Sequence, residues 1–82
     1  MDNRTGVVAI VVTSKDAVAK VQTVLTDFGE IIVGRMGVPN HTTGRNVIAL
    51  IVEGTVERIS ALVGNLGRII GVTAKSVLTP VQ

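Results

Sequence analysis

Two six-residue stretches, Val7-Val8-Ala9-Ile10-Val11-Val12 and Val47-Ile48-Ala49-Leu50-Ile51-Val52, contain no polar residue at all. A strand with one wet face alternates apolar and polar, so an unbroken run has both faces apolar or belongs to a buried helix. Val and Ile dominate both runs, and branching at Cβ favours extended backbone over helix. The second run sits between polar Asn46 and acidic Glu53. Together the two read as the central pair of one sheet, and the rest of the chain has to be arranged around them.

The flanking residues supply the other elements. Residues 1–5 read as a short, loose tail. A first strand over 6–13 places Val8, Ile10 and Val12 on one face and Val7, Ala9 and Val11 on the other. Thr13-Ser14-Lys15-Asp16 offers capping groups, with Ser14 as the cap. A helix over 15–28 then carries the apolar set Ala17, Val21, Val24, Leu25 and Phe28, with Lys15, Lys20, Gln22 and Asp27 on its wet side. Gly29 is expected to close that helix in a left-handed conformation. A second strand over 30–37 mixes Ile31, Ile32, Val33 and Met36 with Glu30, Gly34, Arg35 and Gly37, a composition suited to a sheet edge. Residues 38–45 carry Pro39, Asn40 and Gly44 and read as a long hairpin loop. After the third strand, Thr55 caps a second helix over 56–65, buried through Val56, Ile59, Leu62, Val63 and Leu66 and closed by Gly64 and Gly67. Gly71 turns the chain into a fourth strand over 72–79, whose Lys75 and Ser76 again mark an edge.

The element order is strand, helix, strand, strand, helix, strand. Right-handed crossovers then give an α+β ferredoxin-like domain: a four-stranded antiparallel sheet in the order 4-1-3-2, with both helices on one face. In that order strands one and three are central, which matches the two uniformly apolar runs. It leaves Val7, Ala9, Val11 and their counterparts on the third strand facing water. At about 25 cal/mol per Å2, exposing several such side chains costs a few kcal/mol. Self-association into a dimer or tetramer is the expected remedy.

Composition narrows the function. The chain has 82 residues, enough for a single domain over 1–82 with a small core. Of these, 46% are apolar but only Phe28 is aromatic, so aliphatic side chains fill the core. Eight basic and six acidic residues give a net charge of +2, and the cations are dispersed. Direct nucleic-acid binding is not expected, since the central strands also lack stacking aromatics. There is no cysteine. That excludes disulfides and thiolate chemistry. No apolar segment approaches the ~20 residues of a membrane span, and a cytoplasmic protein is the expectation. No cofactor is implied. Catalysis finds no support, because the carboxylates are scattered and no serine has an evident base beside it.

One loop concentrates functional groups. Between Gly37 and Asn46 lie the single histidine, His41, with Asn40, Thr42, Thr43 and Arg45, and Arg35 precedes them. Arg35 and Arg45, facing each other across the hairpin, would clamp a carboxylate or phosphate, with His41 and Asn46 beside them. A solvated hairpin tip rich in turn formers has the same composition. A metal at His41 would require ligands from neighbouring copies. Gly64-Asn65-Leu66-Gly67-Arg68 follows a helix instead of opening one, so it is read as a terminator and not a phosphate cradle.

The stretches Phe28–Pro39, Ile48–Thr55 and Ile59–Val72 resemble the small proteins called iron-only hydrogenase system regulators. Arg35-Met36-Gly37-Val38-Pro39 and the tail Leu62, Leu66-Gly67, Ile70-Gly71-Val72 carry the resemblance most specifically. That family is similar to ACT domains and to the ligand-binding domain of the nickel-responsive repressor. The resemblance implies a ferredoxin-like fold, oligomerisation through the sheets, and a sensing or regulatory role, with any transcriptional role exerted through a partner regulator. The repressor's histidine and cysteine ligands have no counterpart set here, so nickel sensing is not implied. Two functions follow as expectations: a stand-alone ACT-like regulatory domain binding a small anionic effector at a subunit interface, or an adaptor oligomer acting only through protein contacts.

Overall fold

A computed structural model describes residues 3–40 and 43–80. The elements are β1 (Asn3–Val12), α1 (Lys15–Asp27), a 3-10 turn (Gly29–Ile31), β2 (Ile32–Asn40), β3 (Arg45–Thr55), α2 (Val56–Gly67) and β4 (Val72–Leu78). The strands form one antiparallel sheet in the order β2-β3-β1-β4, the predicted order read from the other edge. The two apolar runs are its central strands. This is the ferredoxin-like fold, and the reason is the one the sequence contained: only β1 and β3 have apolar neighbours to meet on both sides.

The core lies between the sheet and the helices. Val8, Ile10 and Val12 of β1 and Ile48, Leu50 and Val52 of β3 point inward and are buried. They meet Ala17, Val21 and Leu25 of α1, Phe28 and Ile31 of the following turn, and Ile59, Leu62 and Leu66 of α2. Each fully buried Leu or Ile contributes roughly 1.5–3 kcal/mol. Thr55 starts α2 by accepting a hydrogen bond at its Oγ1 from the Arg58 backbone N–H, 3.1 Å away. Ser14 occupies the corresponding position before α1, but its side chain makes no capping bond.

Several boundaries depart from expectation. Residues 3–5 are strand and not tail. They pair with Glu53–Thr55, and Thr5 O accepts from Thr79 N at 2.9 Å. Long-range pairing here overrides a polar local sequence. Gly29 does not adopt a left-handed conformation, and α1 passes instead into the 3-10 turn, which takes Glu30 and Ile31 out of the second strand. Strand β2 then runs through Pro39 to Asn40, and β3 begins at Arg45, so Val38–Asn40 and Arg45 of the expected loop over 38–45 belong to the ladder. Pro39 is tolerated because β2 is an edge strand, where half of the N–H groups have no partner. Gly64 lies inside α2, which continues to Gly67. Gly71 does take positive φ, +85°, and its carbonyl accepts from Thr13 N at 2.8 Å, tying the β1–α1 corner to the α2–β4 corner.

Candidate effector groove

Val18, Val21 and Gln22 of helix α1 and Gly37, Val38 and Pro39 at the far end of β2 line one opening. A bulge decides which β2 side chains face that opening. Ile32 pairs with Val52, but the next paired residue, Gly34, meets Ile51, so Val33 is extra. Because side chains alternate with period two, one inserted residue reverses the face of everything after it. Arg35, Gly37 and Pro39 therefore share the helix-side face with their partners Leu50, Ile48 and Asn46.

The result is an open groove of about 230 Å3 between α1 and the β2–β3 tip. Val12, Val18, Val21 and Ile48 form its apolar walls, while Gln22, Arg35 and Asn46 are its polar side chains. Gly37 lies over Ile48 and contributes no side chain, which keeps the hollow open: a Cβ there would find only Ile48 Cγ1, 4.0 Å away. Arg35 Nη2 donates to Gln22 Oε1 at 3.0 Å. Among the described residues no carboxylate lies within ion-pair distance of Arg35; the ion pair found among them joins Arg58 to Glu30.

The predicted site residues separate into three groups. Arg35 and Asn46 both line the groove, four strand positions apart. Arg45 does not join them. It pairs with Asn40 at the tip, five positions before Leu50 on β3, and so sits on the opposite face and roughly 17 Å along the strand. His41 lies outside the described residues. Gln22 is a groove residue that the sequence places only on the wet side of its helix. The one sequence signal for it is Val18, an apolar residue four positions earlier on that same flank. Among the described residues no group of three or more His, Cys, Asp or Glu side chains gathers into a set able to hold a metal.

A second polar cluster braces the helices at the other end. Arg58 Nε donates to Glu30 Oε1 at 2.8 Å, its Nη2 binds the same oxygen, and its guanidinium stacks 4.1 Å over the Phe28 ring. The side-chain hydrogen bond from Arg58 holds the Glu30 carboxyl below its ordinary range, and a backbone hydrogen bond at Glu30 adds to the effect. This cluster links the start of α2 to the end of α1 and is structural in character.

Fold and groove together define a small α+β domain with no catalytic constellation in the groove and a single guanidinium facing an apolar hollow. The chain belongs to the family described as "Iron-only hydrogenase system regulator, putative", the TM1266-like family, whose model matches residues 4–76. The uncharacterized protein TM1266 from Thermotoga maritima is 32% identical, with a TM-score of 0.92 over 96% of this chain and 100% of that one. The C-terminal domain of MgtC from Mycobacterium tuberculosis superposes with a TM-score of 0.72 at 13% identity, covering 93% of this chain and 87% of that one. A formyltetrahydrofolate deformylase from Pseudomonas putida KT2440 gives 0.65 at 13% identity, covering 93% of this chain but 29% of the enzyme. These last two show the fold alone. No curated protein sequence matches the chain. Among the described residues no helix is long and apolar enough to cross a membrane.

Proposed function

We propose that this chain is a stand-alone ACT-like regulatory domain that senses a small anionic metabolite in the groove beside Arg35. The observation that carries the reading is a guanidinium at the edge of an apolar hollow, held in place by the neutral carbonyl of Gln22 and free of any acidic partner among the described residues. A planar guanidinium binds a carboxylate or phosphate through two parallel hydrogen bonds, Gln22 adds an amide donor beside it, and Asn46 offers another further along the groove lining. At about 230 Å3 the groove is smaller than the 300–1,000 Å3 typical of drug-sized ligands. It therefore suits a short aliphatic acid or a small phosphate. The regulatory role of the family supports sensing over turnover.

Val38 and Val47 line the groove and also belong to the tip of the opposite sheet face. Occupancy of the groove is thereby coupled by proximity to a surface able to contact another subunit or a partner regulator. Thermal denaturation against a panel of small carboxylates and phosphates tests the reading. At least one class should raise the melting temperature of the wild type and have no effect on Arg35→Ala. A panel without any shift, or equal shifts in both proteins, removes it. The exposed apolar sheet face favours a second reading, an adaptor oligomer with no ligand. Full partner binding by Arg35→Ala would support that one.

A further inference from the structure

The sheet face away from the helices is apolar across β2, β3 and β1, and on β4 it carries Val77 beside Thr73 and Lys75. Its rows, read from β2 to β4, are Gly34–Ile51–Val7–Val77, Met36–Ala49–Ala9–Lys75 and Val38–Val47–Val11–Thr73. Ile51 is 50% exposed, Met36 65% and Val77 76%. At its centre Ala9 pairs with Ala49, so the middle of the face is low and flat while larger side chains stand around it. Contiguous exposed apolar surface of this kind marks an interaction site.

The charges on β3 identify what covers it and in which direction. The outward residues of β3 are Arg45, Val47, Ala49, Ile51 and Glu53: a cation, an apolar residue, a small one, an apolar residue and an anion. This pattern is complementary to its own reversal. We propose that the face binds a second copy of this chain, sheet on sheet, with the two β3 strands antiparallel and crossing near Ala49. The two-fold axis runs along the row Met36–Ala49–Ala9–Lys75. Arg45 of each copy then meets Glu53 of the other, Val47 meets Ile51, and Val11 of β1 meets Val7. A parallel arrangement would instead place Arg45 on Arg45 and Glu53 on Glu53, and like charges so juxtaposed disfavour it. The axis also sets Lys75 opposite the same residue of the second copy, but at edge strand β4, where both ammonium groups reach water past the rim and are screened.

The flat area of the face lies toward the small end for a stable interface. Four strands about 4.8 Å apart and eight steps of about 3.4 Å give a face of roughly 500 Å2 in projection, before side-chain relief is counted. Standard stable interfaces take about 800 Å2 of accessible surface from each partner. Aligned sheet packing is a common geometry for two such faces. This inference stands on the outer face and not on the groove, so it fails or survives independently of the effector.

Sedimentation equilibrium over 1–100 μM protein at low salt tests it, on wild type, Arg45→Glu, Glu53→Arg and the double exchange. The wild type should dimerise. Each single reversal should raise the dissociation constant about tenfold, since symmetry places two altered pairs in every dimer. The double exchange should restore association, and 0.5 M salt should shrink all differences. Both positions are exposed and near strand ends, and circular dichroism checks that each variant is folded. Ala49→Glu, at the crossing point, should give a monomer. A wild type that stays monomeric at 100 μM overturns the proposal. So does a dimer indifferent to the single reversals, or one that the double exchange fails to restore.

Discussion

Arg35 reaches across from the edge strand β2 to helix α1 and hydrogen-bonds Gln22 at 3.0 Å, closing one side of a groove that the sheet leaves open. The contact joins a cation to a neutral amide, so an incoming anion can bind the guanidinium without first displacing another anion.

Filling the groove should abolish ligand binding without unfolding the domain. In Gly37→Leu the new Cβ has only ordinary contact with Ile48, so the side chain enters the hollow freely. Calorimetric titration with the ligand identified in the thermal screen should show loss of binding, while the melting temperature stays within a few degrees. Arg35→Lys should bind at least tenfold more weakly, because an ammonium cannot make the bidentate contact.

Acid should loosen the brace between the helices. The folded-state pKa of Glu30 is depressed by Arg58, so its stabilising contribution is present above the ordinary carboxylate range and is lost as pH falls through the lowered value. Wild-type melting temperature should therefore fall below about pH 4.5. Glu30→Gln should show a shallower decline over the same window. Equal slopes in the two proteins would show that the pair contributes nothing to acid stability.

Two glycines should respond oppositely to alanine. Gly64 lies within α2, and a methyl group added there would meet nothing within 4 Å, so Gly64→Ala should stabilise by about 0.5–1 kcal/mol. Gly71 has φ +85°, and a Cβ there would stand 2.8 Å from Ser14 Cβ. Gly71→Ala should destabilise by about 1–3 kcal/mol. Urea denaturation of both variants measures the contrast.

Neighbours in the third-strand run should also differ. Leu50 is completely buried, and Leu50→Ala should cost about 2–5 kcal/mol, a large share of the stability of so small a domain. Ile51 faces outward, and Ile51→Thr should leave the melting temperature of the monomer nearly unchanged while weakening self-association. Thermal melts and sedimentation of the two variants separate the core from the interface.

The fold was legible because its strongest signals are local and redundant. Two unbroken apolar runs could only be central strands, the charged and glycine-bearing segments could only be edges, and the spacing of Ile59, Leu62 and Leu66 named the inner face of α2. Strand ends were less legible. Asn3–Thr5 and Val38–Asn40 are polar or proline-containing by themselves and become strand only through the partners that β3 brings to them.

Arg35 and Asn46 were visible in the sequence as polar groups near one hairpin, but which groups would meet was not. Sequence by itself determined the sheet order, the inner alternates of β1 and β3 and the apolar outer face, because period-two and period-3.6 patterns follow from backbone geometry alone. Only the tertiary structure decided that Arg35 joins Gln22 while Arg45 faces the other way. The physical reason is the extra residue at Val33: a bulge costs a strand one pairing and reverses the facing of every residue beyond it, and although Gly34 on an edge strand hints at a bulge, nothing local fixes which residue is left unpaired.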